Sequence, residues 1–290
     1  CYPVSSGVYV LDDKLIEDTA AGKGGMEHPS NLGVQLAREL QKEFGGRIFM
    51  VDPPCVDELC DMARMTGIDG VPRHTNMHAL NLRGVAMHHA KHVLGKKYED
   101  CCFIVCHIDG GISVSAHRYG RIIDCNDAAG GDGPYTPTRI GSVSVADILE
   151  YVRDKDIDEV KKLCTRTGGF VSHFGTSSSD AVHKMAEEGD KKAIRVWDGM
   201  KYQIVKYIGA MAAVLGGRVD GILLTGGLLR FEDITQTIRE QCEWIAPVST
   251  YPGEVEHEAL AAGALRVLRG EEEPKHYTGR PVWDGWHDED

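Results

Sequence analysis

The chain has 290 residues, of which 32 are Lys or Arg and 44 are Asp or Glu, so its formal net charge is −12. A chain of this length can bury a large core as two domains or one large α/β unit, which excludes a small disulfide-bonded fold. The acidic balance, without a basic stripe, argues against nucleic acid and anionic membrane as partners and favours a soluble metabolic protein.

The chain contains nine cysteines, and an odd number does not suit a full set of disulfide pairs. Cys101, Cys102 and Cys106 lie within the apolar run "CCFIVCHI", which is typical of small buried side chains. Cys55 and Cys60 lack the CxxC spacing of a zinc site. We therefore expect reduced thiols and a cytoplasmic location. The sequence has no apolar run long enough to span a membrane, and its start lacks the features of a secretory signal.

The first third of the chain alternates strand and helix patterns, as in α/β proteins. Four apolar residues spaced four apart, from Leu32 to Phe44, follow a candidate cap at Ser30 and predict an amphipathic helix. The run "RIFMVDPP" predicts a buried strand that ends at Asp52. A second amphipathic helix, "MHALNLRGVAMHHAKHVLG", carries His78 near its first turn.

Several polar residues of this region have two interpretations. His88 and His92 have i, i+4 spacing and are a possible metal-binding pair, but no third ligand is obvious, so we favour a solvated helix face. His78 is either a partly buried structural histidine or a functional donor. Asp52 either caps the turn that follows or serves a site.

The stretch "FIVCHIDGGISVSAHRYGRIID" predicts a buried strand, a turn at Gly110-Gly111 and a short hairpin. A strand followed by two glycines brings main-chain N–H groups close to a ligand, and such turns usually bind anions. Asp109 stands directly before the glycines, where a carboxylate would repel an anion. Either the turn has lost or altered its use, or Asp109 points away and caps a neighbouring turn; the sequence leaves both interpretations open.

The next segment, "CNDAAGGDGPYTPTRIGS", has 18 residues without periodicity. Loops of this length inside a compact domain are usually functional. Arg139 lies between the loop prolines and Gly141, where a cation has little packing reason to be. It is therefore the strongest single candidate for a functional side chain.

The last third predicts a long helix, "DKKAIRVWDGMKYQIVKYIGAMAAVLGG", and then the buried strand "VDGILLTGG", which runs into Gly226-Gly227. This is a second strand-to-glycine junction, although alone it could be an ordinary turn. We expect the strands ending at His107 and Thr225 to lie side by side in one sheet, because ligands bind beyond the carboxyl ends of parallel strands.

Four motifs occur in this order: "MHALN", "HIDGGISVSAHRYGRIIDCNDAAGGDGPYTPTRIG", "DGILLTGG" and "YPGEVEHEALAAGALRVLRGEEE". The set resembles the butyrate kinases, within the acetate and butyrate kinase family of the sugar kinase/actin-like ATPase superfold. The similarity runs from near Tyr2 to about Glu273 and is more specific than any single glycine turn. It implies an α/β fold with two actin-like ATPase (ribonuclease H-like) domains around a nucleotide cleft.

The resemblance implies a reversible, Mg²⁺-dependent transfer of a phosphoryl group between ATP and a short-chain carboxylate such as butyrate, with the acyl phosphate as the other reactant. A carboxylate is already ionised at neutral pH, so such a site needs cations and N–H donors more than a general base. A homo-oligomer of at least two chains is also expected, and the long helix from Trp197 to Ala213 could pack against a second subunit.

The resemblance also implies roles for particular residues. Arg139 takes the place of a catalytic arginine, His78 that of a histidine donor to the phosphoryl oxygens, and His107 would close beside the transferring group. Asp52 would orient the metal and Glu256 would assist it. The contacts to ATP would come from Gly110, Gly111, Gly226, Gly227 and Asp180.

The family opens with a phosphate loop rich in Asn, Gly, Ser and Thr and has a catalytic arginine just upstream of the region aligned with Cys1. Neither occurs in this chain, which also lacks an initiator Met. We therefore expect a truncated first domain with exposed apolar surface, no measurable kinase activity of the chain alone, and weak ATP·Mg binding in roughly the millimolar range. The alternative function is a catalytically inactive nucleotide-binding, regulatory or scaffold protein with the same fold.

These considerations give a predicted domain organisation. Residues 1–99 would form the remainder of the first domain, and residues 100–255 the second domain with its nucleotide-binding loops. Residues 256–273 would form a helix that returns to the first domain. Residues 274–290 would be an acidic, mobile tail, because they show no periodicity.

Overall fold

The computed structural model describes residues 1–25 and 31–286. In chain order, its strands and α-helices are β1 (Val8–Val10), α1 (Asp13–Ala20), α2 (Asn31–Phe44), β2 (Phe49–Val51), α3 (Asp61–Arg64), α4 (Ala79–His89), β3 (Cys102–Ile108), β4 (Ile112–Arg118), β5 (Arg121–Cys125), α5 (Val145–Tyr151), α6 (Ile157–Thr165), α7 (Gly169–Phe174), α8 (Ser179–Glu187), α9 (Lys191–Val214), β6 (Gly221–Gly226), α10 (Glu232–Cys242), β7 (Val248–Pro252) and α11 (Glu256–Leu268). No helix in the described part of the chain combines the length and apolar character needed to span a bilayer.

The chain divides into two compact units. Unit 1 comprises Cys1–Glu58, His78–Gly84 and the segment from Val255 onward, and unit 2 comprises Leu59–Met77 and Val85–Glu254. In this division the segment from Val255 onward groups with residues 1–58, whereas residues 59–77 and 85–99 group with residues 100–254.

Two contacts within unit 2 explain the position of residues 59–77. The Cys60 N–H donates to the Ile123 carbonyl, at 2.9 Å. The Arg73 guanidinium pairs with the Asp124 carboxylate, at 2.8 Å. Both partners lie on β5, so these contacts tie residues 59–77 to the hairpin of unit 2.

A five-stranded sheet in the order β5-β4-β3-β6-β7 forms the centre of unit 2. The pairs β3–β6 and β6–β7 are parallel, whereas β4 pairs antiparallel with both β3 and β5. Every residue of β3 and β6 is buried, which explains why both strands are continuous apolar runs in the sequence rather than alternating ones. The predicted neighbourhood of the strands ending at His107 and Thr225 is confirmed, because these two residues are in register.

Helix α9 packs its apolar face into the core of unit 2. Its N-cap Asp190 accepts hydrogen bonds from the backbone N–H groups of Lys192 and Ala193, which accounts for its start. Trp197 is buried in the core and donates from Nε1 to the Asp233 carboxylate, at 2.7 Å. The face of α9 around Trp197 is therefore used inside the unit rather than left open for a second chain.

Unit 1 contains a two-stranded antiparallel sheet in which Val8 is paired with Val51. Helix α11 packs on this sheet, and Gly263 allows the approach, since a Cβ at that position would lie 2.7 Å from the Val51 side chain. Among the described residues of unit 1, Val8, Val51 and Val267 form one small buried cluster, and Leu11, Leu15 and Tyr277 belong to another.

The apolar face of α2 is exposed. Its four apolar residues at i, i+4 spacing are between 55% and 74% exposed: Leu32, Leu36, Leu40 and Phe44. Val34, on another face of the helix, is the residue of α2 that unit 1 buries. The predicted amphipathic helix is confirmed, and the candidate cap Ser30 lies outside the described residues.

The C-terminal segment is anchored at Lys275 and Tyr277, in contrast to the expected mobile tail, and residues 287–290 of that tail lie outside the described residues. The Lys275 N–H donates to the Val8 carbonyl at 2.7 Å, and the Val10 N–H donates back to the Lys275 carbonyl at 3.0 Å. Tyr277 is buried, and its hydroxyl contacts Asp18 at 3.1 Å. The absence of periodicity after residue 273 correctly indicated that the described part of this segment has no helix or strand. It did not indicate whether the segment contacts the rest of the unit.

Candidate active site

The candidate site of unit 2 lies where adjacent strands end. Residue His107 of β3 pairs with Thr225 of β6, so the turn at Asp109–Gly111 and the turn at Gly226-Gly227 start at the same edge of the sheet. The end of β7 joins them, because Gly226 and Gly253 exchange backbone hydrogen bonds of 2.8 and 3.2 Å. The expected meeting of the two glycine turns is thus confirmed.

Gly226 is required by close contact with the neighbouring strand. It has φ 109°, a conformation that residues with a Cβ rarely adopt, and a Cβ there would lie 2.3 Å from the Ile108 carbonyl oxygen. Its ψ of 163° shows an extended glycine at the end of β6 rather than a left-handed turn, and this conformation lets the two strand ends approach each other.

The Asp109 carboxylate links the two turns. Its Oδ1 accepts the Gly110 N–H, and its Oδ2 accepts the Gly227 N–H, both at 2.7 Å. Of the two interpretations open from the sequence, turn capping is the one that these contacts support. One of the two capped turns, the turn at Gly226-Gly227, follows β6 rather than β3, and local sequence could not reveal this contact.

The loop that carries Arg139 is attached to the first glycine turn. The hydroxyl groups of Thr136 and Thr138 both donate to the Gly110 carbonyl, at 2.7 and 3.2 Å. The Arg139 N–H in turn donates to the Thr136 hydroxyl, at 3.1 Å. Side chains of the loop therefore place the Arg139 backbone beside the turn at the end of β3.

Two consecutive glycines, Gly168 and Gly169, support the Arg139 loop from the other side. The Gly168 N–H donates to the Thr138 carbonyl, at 3.1 Å. A Cβ on Gly168 would lie 2.7 Å from the Arg139 carbonyl carbon, and one on Gly169 would lie 1.6 Å from the Thr136 carbonyl oxygen. Only residues without side chains fit this contact.

The Arg139 side chain is held by the backbone rather than by an acid. Its Nη1 donates to the Ala128 carbonyl at 2.6 Å, and its Nε is buried without a hydrogen-bond partner in the described part of the chain. Burial lowers the pKa of Arg139, and nearby Asp127 opposes that shift. A guanidinium remains charged in proteins, so this arrangement presents a cation with unused donor capacity.

His107 is a neutral imidazole in this environment. Its side chain is 1% exposed, and its Nε2 lies 3.9 Å from the Glu254 carboxylate. Burial, and to a lesser extent the positive charge of Arg139, lowers the pKa of His107 to about 4. At neutral pH His107 can therefore donate one hydrogen bond without adding charge.

Asp180 reaches the second glycine turn through an arginine. The Arg230 guanidinium pairs with the Asp180 carboxylate at 3.0 Å and donates from Nη1 to the Gly227 carbonyl at 2.8 Å. Its guanidinium carbon also lies 4.4 Å from the centroid of the Phe231 ring. Asp180, predicted to contact ATP, is thus joined to the turn at Gly226-Gly227 by Arg230.

In unit 1, Asp52 is buried in a polar contact. Its Oδ1 accepts the Gly7 N–H at 2.7 Å and pairs with Arg83 Nε at 3.0 Å. Burial raises the pKa of Asp52, while Arg83 and the Gly7 hydrogen bond act in the opposite direction. Asp52 follows β2 with φ 39°, an uncommon conformation for a residue with a side chain and one that often marks functional positions.

His78 and Glu256 lie at the starts of two helices of unit 1. The His78 carbonyl accepts the Leu82 N–H at the start of α4, and Glu256 is in the first turn of α11. Asn81 connects these starts, since its side-chain oxygen accepts the Val255 N–H at 3.0 Å. Asp52, His78 and Glu256 thus belong to unit 1, whereas the other predicted site residues belong to unit 2.

Sequence reasoning missed several residues that build this site: Thr136, Thr138, Gly168, Gly169, Arg230 and Glu254. Arg230 could have been found as a cation three residues after a glycine pair. The roles of the threonines and of Gly168-Gly169 depend on contacts across the fold, so no local pattern indicates them.

Glu254 completes a group of metal-capable side chains in unit 2. Candidate ligand atoms of His107, Asp109 and Glu254 lie within 4.8 Å of one another. Two carboxylates suit a hard cation such as Mg²⁺, whereas a buried imidazole suits it less. The pair Asp109 and Glu254 is therefore the better fit within this group.

The contact at Gly169 predicts a strong effect of a single methyl group. Gly169→Ala should displace the Arg139 loop and lower the free energy of unfolding by about 1–3 kcal/mol, because its Cβ would overlap the Thr136 carbonyl. Thermal or urea unfolding measures the change. The control is Gly209→Ala, where the added Cβ meets no atom within 4 Å inside α9 and should be neutral or stabilising. Equal stability of the two variants would contradict the overlap.

The Asp109 contacts predict a second stability effect. Asp109→Ala removes the acceptor of two backbone N–H groups and should lower the free energy of unfolding by about 1.5–3 kcal/mol. Asp100→Ala, at an exposed residue, is the control for loss of one negative charge. If both variants unfold at the same urea concentration, Asp109 does not link the turns in solution.

The environment of His107 predicts an acidic titration midpoint. By NMR, the imidazole resonance that disappears in His107→Gln should titrate near pH 4 rather than 6.5. Between these values the unfolded chain binds a proton that the folded chain does not, so this residue makes the free energy of unfolding fall as pH decreases from 6.5 towards 4. A midpoint at 6.5 would show that His107 is hydrated.

Known proteins resemble this chain in sequence and in structure. The model of the acetokinase family matches residues 71–249. A protein described as a probable butyrate kinase of Coprothermobacter proteolyticus is 42% identical over 277 residues, which cover 95% of this chain and 78% of that protein. A probable butyrate kinase of Clostridium botulinum is 43% identical over 277 residues, with the same coverage of both chains.

Solved structures show the same fold. The acetate kinase of Porphyromonas gingivalis aligns with a TM-score of 0.78 at 20% identity, covering 91% of this chain and 75% of that one. A propionate kinase of Francisella tularensis aligns with a TM-score of 0.73 at 16% identity, covering 89% and 75%. The α/β fold is thus that of the acetate and propionate kinases, in agreement with the predicted actin-like ATPase architecture. Given the family match and the identity to its relatives, this chain belongs to the acetokinase family.

Proposed function

We propose that the chain catalyses, reversibly, the ATP-dependent phosphorylation of a short-chain carboxylate, butyrate or a related acid, to its acyl phosphate. One observation carries the proposal: the Arg139 loop is hydrogen-bonded to the glycine turn of β3, beside the turn of β6, in a member of the acetokinase family. This arrangement offers N–H donors and a guanidinium at one sheet edge, which phosphoryl transfer requires.

Arg139 and His107 have complementary roles in this proposal. The guanidinium would stabilise negative charge on the transferring phosphoryl group, since its Nε and remaining donors are not used by other described residues. His107 would donate a hydrogen bond as a neutral imidazole. His78 of unit 1 would be a second histidine donor. The carboxylate substrate is already ionised, so none of these residues needs to remove a proton from it.

The nucleotide would be bound by backbone groups of the two glycine turns, namely those of Gly110, Gly111, Gly226 and Gly227. Asp180 and Arg230 would position the second turn, because Arg230 joins Asp180 to the Gly227 carbonyl. Glycines at these positions let a phosphate approach the backbone closely.

Mg²⁺ is expected to accompany ATP, where it would bridge phosphate oxygens and neutralise charge. Asp52 and Glu256 remain proposed metal residues, although Arg83 beside Asp52 already balances that carboxylate. Asp109 and Glu254 offer a second pair, whose fit is supported by the closeness of their oxygens. Mg²⁺ usually takes only one or two carboxylates together with phosphates and water, so each pair is sufficient.

One contact favours a second candidate function, a nucleotide-binding or regulatory protein without phosphotransfer. The Asp109 carboxylate already accepts N–H groups of both glycine turns, which are donors that a phosphate would otherwise use. Under this alternative the fold and the turns remain, but ATP gains too few contacts to react.

Two measurements distinguish these functions. Isothermal titration with ATP·Mg tests binding, and trapping of acyl phosphates with hydroxylamine tests turnover on acids from acetate to hexanoate. Both should be made on the chain as given and on the chain joined to the part of the Coprothermobacter relative that it does not match, since the chain covers 78% of that protein. Acyl phosphate formation supports the kinase; binding without turnover in both forms supports the alternative.

We also propose a cytoplasmic location and assembly into at least a dimer. All nine cysteines are free, which suits a reducing compartment. Light scattering of the purified chain would measure the assembly, and fractionation of cells would test the location.

Arg139 should affect turnover much more than binding. In an active form of the chain, Arg139→Ala should lower kcat by a factor of about 10³ and change KM less, because it removes charge stabilisation of the transition state. Arg153→Ala, at an exposed arginine of the same unit, is the control and should leave kcat unchanged. Unchanged kcat in Arg139→Ala would show that this residue has no catalytic role.

Glu254 should affect the metal. Glu254→Gln should weaken Mn²⁺ binding in the presence of ATP by about tenfold, as measured by electron paramagnetic resonance, because it removes a carboxylate beside Asp109. Glu258→Gln removes a nearby exposed carboxylate of α11 and is the control. Equal Mn²⁺ affinity of both variants would leave Asp52 and Glu256 as the metal residues.

A further inference from the structure

A pair of exposed histidines lies outside the proposed active site, at the end of α4. The ring centroids of His88 and His92 are 4.8 Å apart, with an angle of 40° between the planes. Both residues are exposed, so an ion has free access from solvent. The i, i+4 spacing that predicted only a possible pair therefore does bring the two imidazoles side by side.

The spacing of the two rings suits a shared metal ion. Metal–nitrogen bonds of about 2.0–2.1 Å with a roughly tetrahedral angle place the centroids of two ligating imidazoles about 5 Å apart. The observed separation is close to this value. Binding would then need rotation of exposed rings rather than movement of the backbone.

The helix changes its hydrogen bonding at this position. Ala90–Leu94 forms a π-helical turn, which ends at Gly95 in the left-handed conformation. Such turns widen the helix locally and occur often at functional positions. His92 lies within this turn and His88 just before it, so the irregular backbone coincides with the histidine pair.

The neighbouring side chains restrict His88. The Tyr251 ring lies edge-on to His88, with centroids 5.8 Å apart. Tyr251 is itself fixed, since its hydroxyl lies 2.6 Å from Nδ1 of buried His89, whose ring packs edge-on against Phe103. One wall of the pair is thus rigid, which reduces the entropy lost when an ion orders the two rings.

We propose that His88 and His92 form a binding site for a divalent transition-metal cation, with water completing the coordination. Two imidazole nitrogens select Cu²⁺, Ni²⁺ or Zn²⁺ over Mg²⁺ or Ca²⁺, which prefer oxygen ligands. The site is therefore separate in residues and in chemistry from the carboxylates proposed to hold Mg²⁺. It does not depend on the proposed kinase function.

The test is titration of the full 290-residue chain with NiCl₂ by isothermal calorimetry, in a phosphine reductant that keeps the thiols reduced. The unmodified chain should show a site that is weakened about tenfold or more in His88→Ala and also in His92→Ala. His257→Ala, at an exposed histidine of α11, is the control and should bind as the unmodified chain does. Thiols and other histidines also bind these ions, so the site is identified by the difference in Ni²⁺ affinity between the unmodified chain and the histidine variants.

Further outcomes decide the identity of the site. Cu²⁺ should bind more tightly than Ni²⁺. Its electron paramagnetic resonance spectrum should show nitrogen hyperfine splitting from two imidazoles. Excess Mg²⁺ should not weaken the binding of either ion. The proposal is overturned if either histidine variant binds Ni²⁺ as the unmodified chain does, or if the spectrum shows one imidazole. Both variants change exposed residues, and circular dichroism will confirm that they fold.

Discussion

The parallel pairing of β3 with β6 is the constraint on which the candidate site depends. With His107 opposite Thr225, each strand releases its glycine turn at the same level of the sheet. A shift of the register by one residue would reverse the side-chain faces of a strand and separate the turns. Gly226 makes this pairing possible, because its φ of 109° brings the β6 end against the Ile108 carbonyl. Asp109 then joins both turns through their N–H groups.

Charge in this site is arranged by backbone contacts. Arg139 is held by the Ala128 carbonyl and by threonines that bind the Gly110 carbonyl, so its positive charge is positioned without a carboxylate that would neutralise it directly. The same charge helps to keep His107 neutral. A half-buried cation beside a neutral donor can attract an incoming anion, whereas two cations would repel each other and cost more desolvation.

The sequence predicts the elements of unit 2 better than those of unit 1. The buried strands β3 and β6 are continuous apolar runs ending in glycines, a pattern typical of strands that are buried on both faces of a sheet. Helix α2 is also predictable, but periodicity cannot say which neighbour its leucines face, and in this structure they face solvent. The link from Asp109 to Gly227 joins residues 118 positions apart, and the contact of Gly169 with Thr136 likewise depends on the folded loop. Such contacts have no local signature, which is why the sequence alone leaves both interpretations of Asp109 open.

The exposed stripe of α2 has a thermodynamic consequence for the molecule. Covering a large apolar side chain contributes about 1.5–3 kcal/mol, so a surface that buried the four residues from Leu32 to Phe44 would add substantially to the stability of unit 1. The stability of unit 1 can therefore be increased by any apolar surface that binds α2 in the folded state and covers these four residues.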